Sequence, residues 1–285
     1  MVLPNIYVPV AFAALALVFV ELGWMLQIPA FTLQGRILSL AAPSFLATMT
    51  LLSDNPSYLA GRVPNALLIA SLHWYLWYRN RRDETALLHG WLAAAVAASL
   101  VPLDYPDYRL ALWSLLGCAL ACAAKQFGSR QLRWQAALLA VVAAVSGIFG
   151  DAAFWQRCVV LAWYFLALLL EPRDGESSRL RQGYSLAIAV FAASSLFREV
   201  SGGMLTLSWG LEGIALLGAG FAVRERMLRL AELALLLGCI GKLFAYDLRS
   251  LETFFRILSF IGLGLILLAV SWIYTRFKQQ LRRFL

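Results

Sequence analysis

The stretch IYVPVAFAALALVFVELGWMLQ, residues 6–27, carries a single charge, Glu21. At about 1.5 Å of rise per residue, a helix of that length crosses the roughly 30 Å hydrocarbon core of a bilayer. No Lys or Arg precedes Arg36, so the basic n-region of a signal peptide is missing, and the apolar run is longer than an h-region. The segment reads as a retained membrane span.

Working outward, ten more apolar stretches follow between short polar breaks: 31–52, 63–78, 85–101, 108–124, 132–150, 157–170, 184–197, 204–223, 227–246 and 253–276. Eleven spans result, or ten if 184–197 fails to cross. Over all 285 residues, 61% are hydrophobic and 14% are charged, against about 25% charged in an average soluble domain. Such a chain lacks the polar surface of a water-soluble globule. Its longest polar stretch, 171–183, is too short to bury a core, and neither a disordered arm nor a charged coiled coil is present. The expected fold is all-α: a polytopic transmembrane helix bundle forming one transmembrane domain over residues 1–285.

Lys and Arg alternate from break to break. One set holds Arg36; Arg79, Arg81 and Arg82; Lys125, Arg130 and Arg133; Arg173, Arg179 and Arg181; Arg224, Arg226 and Arg229; and Arg276, Lys278, Arg282 and Arg283. The other holds Arg62, Arg109, Arg157, Arg198, Arg249 and Arg256, so the division is 17 against 6, with Lys242 inside a span. Because cytoplasmic loops carry the positive excess, the C-terminus is expected in the cytoplasm and the N-terminus outside a bacterial inner membrane. The net charge of +8 then marks orientation, and the expected partners are membrane lipids and a membrane protein, not nucleic acid.

Cys118, Cys122, Cys158 and Cys239 all lie in apolar stretches, where they read as packing residues and not as a disulfide or zinc framework. No metal or cofactor is expected. His73 sits among Trp74, Tyr75, Trp77 and Tyr78 just before Arg79, the composition of an interfacial aromatic belt. Ala119 and Ala123, Ala140 and Ala144, and Ala215 and Ala219 have the small-xxx-small spacing that lets helices approach closely.

Charges at membrane depth need partners, since each costs at least about 2.5–3.5 kcal/mol at a helix centre. Glu212 lies near the middle of its stretch, with Lys242 on the next, antiparallel one, so an ion pair is expected, either a static bridge or a site for a cation, proton or anionic headgroup. Glu21 is expected to bridge to Arg36 across the Pro29 turn as a structural hairpin pair, and Glu232 to pair with Arg229 one turn away. Toward the outer side, Asp247, Arg249, Glu252 and Arg256 cluster within ten residues. With Arg198 and Glu199 in the preceding outer break, carboxylates there could serve as metal ligands, act as acid and base in lipid-linked glycosyl transfer or simply be solvated, but no H-E-x-x-H, P-loop or C-x-x-C motif accompanies them. Enzymatic activity is therefore not the first expectation.

Three further stretches bear on family: Thr206-Leu207-Ser208-Trp209-Gly210-Leu211-Glu212-Gly213, Gly241-Lys242-Leu243-Phe244-Ala245-Tyr246-Asp247-Leu248, and Arg256-Ile257-Leu258-Ser259-Phe260-Ile261-Gly262-Leu263-Gly264. Together these resemble the bacterial predicted membrane proteins grouped as domain of unknown function 2339, with the resemblance carried by residues 198–285. It implies an all-helical inner-membrane protein, here a short form of a family whose members are often longer. It also singles out Trp209, Glu212, Lys242, Asp247 and Arg256, without an established activity or catalytic residues. The first functional expectation is the handling or transport of a lipid-linked or small envelope solute. A non-transporting scaffold or assembly factor comes second, and a periplasm-facing glycolipid enzyme third.

Overall fold

The computed structural model describes residues 7–52, 56–80, 85–173, 177–201, 203–242 and 253–281. Among these, eleven α-helices and no strand are present: α1 (Val8–Met25), α2 (Pro29–Leu52), α3 (Pro56–Arg79), α4 (Thr85–Asp104), α5 (Arg109–Phe127), α6 (Arg130–Phe149), α7 (Phe154–Leu170), α8 (Ser177–Glu199), α9 (Gly203–Ala222), α10 (Arg226–Lys242) and α11 (Thr253–Leu281). A 3-10 turn, Pro106–Tyr108, precedes α5. Each helix falls on one of the eleven apolar stretches, as expected of an all-α membrane bundle. By length and composition, α1, α4, α5 with its leading turn, α6 and α9 are long and apolar enough to cross a membrane, and Phe154–Leu170 and Phe260–Arg276 are shorter apolar helices.

Three helix ends are closed by one local device. After α1, Ile28 N–H donates to Gly23 O at 3.0 Å; after α5, Ser129 N–H donates to Ala124 O at 3.2 Å; after α9, Glu225 N–H donates to Gly220 O at 2.9 Å. Each is the long-range bond of a Schellman cap, and each cap contains a left-handed residue: Gln27 at φ 57°, Gly128 at 62° and Arg224 at 56°. The cap satisfies free carbonyls at the helix end and turns the chain at once into the next helix, and α1–α2 and α9–α10 pack as tight antiparallel neighbours.

Contacts cluster into two compact units, Met1–Leu139 and Ala140–Leu285, with the boundary inside α6. In the first unit α1 packs most extensively on α2, and α3 on α4. The α1–α2 seam is close because it is built on glycine: a Cβ on Gly35 would lie 2.8 Å from Val20 N and 2.9 Å from Ala16 O, and one on Gly23 would lie 2.6 Å from Thr32 N. At the far end of α3, Arg62 Nε donates to both carboxylate oxygens of Asp104 at 3.0 and 2.9 Å and its Nη2 to Leu103 O at 2.9 Å. At the opposite end, Trp77 Nε1 donates to Gln131 Oε1 at 3.0 Å, and Gln131 Nε2 donates to Leu87 O at 2.7 Å.

In the second unit α9 packs on α10, α7 on α8, α8 on α10, and α11 on α9. Tyr164, buried at the centre of α7, donates to Ala140 O at 2.6 Å. Arg181 on α8 ties three segments together: its guanidinium donates to Leu168 O at 2.6 Å, to Glu171 O at 2.8 Å and twice to Glu225 Oε2 at 3.0 and 2.8 Å. Arg157 pairs with Glu199 at 2.9 Å. Both pairs join helix ends that antiparallel packing places at one level.

Candidate functional site

Two constellations stand out, one in each unit. In the first unit His73 on α3 and His89 on α4 meet with their Nδ1 atoms 3.0 Å apart, His73 fully buried and His89 nearly so. One ring must donate and the other accept, so the pair is held in complementary tautomers. His73 is thus not part of an interfacial belt: its face of α3 turns inward with Ile69, Leu76 and Trp77, all buried. Its Nε2 is buried and has no hydrogen-bond partner. The chain's only two histidines make one contact, and that scarcity was the signal available beforehand.

The second constellation is a cavity of about 750 Å3 in the second unit, lined by α6, α8, α9 and α10, within the size range of small-molecule sites. Ala189, Ala193 and Ala234 leave the space, Leu186 and Val190 supply apolar wall, and Phe197, Arg198 and Trp209 line it toward one end. Trp209 is fixed by donating its Nε1 to Ala193 O at 2.9 Å and by stacking on Phe197 at 6.3 Å. Arg198 is anchored by an Nη1 bond to Gly150 O at 2.6 Å, and lies 4.0 Å from the exposed Asp151. Lys242 Nζ sits 6.0 Å from the Trp209 ring centroid. One cation thus lies beside the indole and a second, Arg198, lines the same cavity. Chemically, the arrangement offers a hydrocarbon-lined groove with positive charge at one end.

The partner expectations from sequence are redistributed. Lys242 Nζ donates to Thr206 Oγ1 at 2.9 Å, while both Glu212 oxygens are buried without a hydrogen bond; the hydrogen-bonded Glu212–Lys242 bridge is not formed. Register explains this. Gly213 opposes Leu236 and Gly220 opposes Arg229, which levels Lys242 with the residues near 207, beside Thr206, and about five residues, roughly 7 Å along the axis, from Glu212. Arg229 stacks at 5.0 Å on the Phe221 ring, and Glu232 has no hydrogen bond, so the expected i, i+3 pair is also absent. Glu21 accepts from Tyr75 Oη on α3, and Arg36 lies within electrostatic reach of His89. Both residues neighbour the Val20–Gly35 contact in sequence but are rotated about 100° from it, away from the hairpin seam. Asp247, Arg249 and Glu252 fall outside the described residues, as does the side chain of Arg256.

Sequence spacing did not single out Arg198 and Phe197 as groove residues, nor His89 as a partner of His73. The cavity-bearing part of the chain is also the part with relatives. Residues 180–277 match the family described as predicted membrane protein (DUF2339). That span holds most of α8, α9, α10 and most of α11, and so includes Arg198, Trp209, Glu212, Glu232 and Lys242. No curated protein and no solved structure matches the chain. The chain is thus a membrane protein of the all-α class whose C-terminal part resembles this family.

Proposed function

We propose that the protein handles an anionic lipid or lipid-linked solute of the cell envelope, its hydrocarbon chain lying in the α6–α8–α9–α10 groove and its head near Arg198 and Lys242. The observation that carries this reading is the cavity itself: about 750 Å3, apolar along its walls, with Arg198 in its lining and Lys242 beside the Trp209 ring that also lines it. A fully polar solute would leave that wall wet. An aliphatic chain removes it from water, at roughly 25 cal/mol per Å2 of apolar surface covered, while an anionic head gains charge-assisted hydrogen bonds. The 17 to 6 distribution of Lys and Arg supports a bacterial inner membrane with the C-terminus cytoplasmic, which puts the cationic end of the groove toward the outer leaflet. Membrane lipids are then the primary partners, and a membrane-protein partner would complete the pathway of a solute delivered along the groove.

Native mass spectrometry of the purified full-length protein tests the reading. Wild type should carry an anionic lipid through mild detergent exchange. Ala193→Phe with Ala234→Phe, which fill the groove without removing a hydrogen-bonding side chain, should lose it while eluting as folded protein. Equal lipid retention by the filled variant would overturn the assignment. An alkaline phosphatase fusion active at Leu285 would overturn the orientation.

A further inference from the structure

Glu232 lies on the inward face of α10 with Leu228, Leu236 and Cys239, and none of its surface is exposed. All four carboxylate oxygens of Glu212 and Glu232 are buried, and none accepts a hydrogen bond. The α9–α10 register places Glu232 about five residues, roughly 7 Å along the axis, from the level of Glu212, within reach of two glutamate side chains, and the two carboxyls interact electrostatically. The cations that sequence spacing assigns to them are engaged elsewhere, Lys242 on Thr206 and Arg229 over Phe221.

Among the described residues of the packed helices, other ionisable groups have surroundings of their own. On α8, Arg181 is bound to Glu225, Arg198 to Gly150 O, Glu199 to Arg157, and Tyr184 lies among the buried rings of Tyr164 and Phe191. On α11, Arg276 stacks on Trp272 and Tyr274 is exposed. On α10, Cys239 shares the seam as a neutral thiol neighbour. Two carboxylates that share an interior of low dielectric without a bound cation do not both carry charge, because desolvation and mutual repulsion add.

We propose that Glu212 and Glu232 form a proton-binding site inside the second unit, the pair holding at least one proton at neutral pH. Loading forms one carboxylic O–H bond from a carboxylate and a proton. Unloading breaks that bond and returns the proton to water, leaving a carboxylate for water or a cation to solvate. The site stands apart from the groove reading, since neither acid lines the cavity.

Infrared spectroscopy of the full-length protein in lipid bilayers decides the matter. At neutral pH, wild type should show the C=O stretch of a protonated carboxylic acid in apolar surroundings, shifted downward in D2O. Glu232→Asp should move the band, and the Glu212→Gln, Glu232→Gln double variant should abolish it. No such band in wild type at neutral pH, or a band unchanged in the folded double variant, would overturn the proposal. Lipid retention in the groove experiment reads out separately, so the two readings can fail independently.

Discussion

Residues 7–139 and 140–281 bury polar groups on different terms. In the first unit a buried ionic contact is closed on itself, with Arg62 held by both oxygens of Asp104, and its two histidines are joined through their Nδ1 atoms. Among that unit's described residues, atoms buried without a hydrogen bond include the Gln135 amide, the Trp74 indole, His73 Nε2 and Arg109 Nε, but no carboxylate oxygen. The second unit closes its ends with Arg181–Glu225 and Arg157–Glu199 yet carries two unpartnered acids between α9 and α10 and an apolar cavity beside them. A neutral orphan costs about 1–3 kcal/mol, whereas an unpaired charge costs more, so an uncompensated acid pair is a poor way to stabilise a bundle. The contrast points to structure as the task of the first unit's polar groups and to exchange with protons or ligands as the task of the second's.

The largest effect should come from breaking the closed pair. Arg62→Ala leaves Asp104 as a charge with 13% of its side chain exposed and should cost about 3–5 kcal/mol of stability. Denaturant unfolding in detergent measures it. A joint Arg62→Met, Asp104→Leu replacement should recover most of the loss. A cost near 1 kcal/mol for the single change would put the pair among solvated bridges and remove half of the contrast.

The eleven helices were legible because apolar runs of bilayer length alternate with polar breaks. Helix ends were less so: α8 begins at Ser177, seven residues before the expected 184, and α3 at Pro56, seven before 63. Hydropathy reports what lipid will accept, while Arg179, Arg181 and Gln182 are polar residues of good helix propensity. Side-chain partners were the least legible. Spacing favours the next hairpin arm, as for Glu21 with Arg36, but rotation about the helix axis decides, and it selected Tyr75, 54 residues away. Trp209 was legible through the resemblance, whose first stretch carries it three residues before Glu212. Arg198 was not, because a cation at a span boundary looks the same whether it faces water or a groove.

A middle-sized effect tests how tightly each unit is built. Gly35→Val sets a Cβ against the backbone of Val20 and Ala16, which a rotamer change cannot relieve, so α1 and α2 must part, at about 1–3 kcal/mol. At Gly218 on α9 an added Cβ meets nothing within 4 Å, and Gly218→Ala should be neutral or stabilising by up to about 1 kcal/mol through helix propensity. Equal losses at both positions, read from the same unfolding curves, would mean that the α1–α2 seam is no tighter than the open face of α9.

The smallest effect belongs to the acids themselves. Glu212→Gln and Glu232→Gln exchange a carboxyl that accepts no hydrogen bond for an amide of nearly the same volume, so no contact is lost and the penalty on the charged form disappears. Each should change stability by less than about 1 kcal/mol. Glu225→Gln supplies the internal standard, since that carboxylate accepts two bonds from Arg181 and its neutralisation should cost about 1.5–3 kcal/mol, the range of hydrogen bonds to charged groups. Both measurements lie in the same unit, so differences in membrane environment between the units drop out. If Glu212→Gln costs as much as Glu225→Gln, then Glu212 is bridged by a cation in the folded protein, and the proton-binding pair gives way to a static bridge. If it costs nothing, the acid is kept for something other than stability, because an amide or a leucine at that position would hold α9 against α10 equally well.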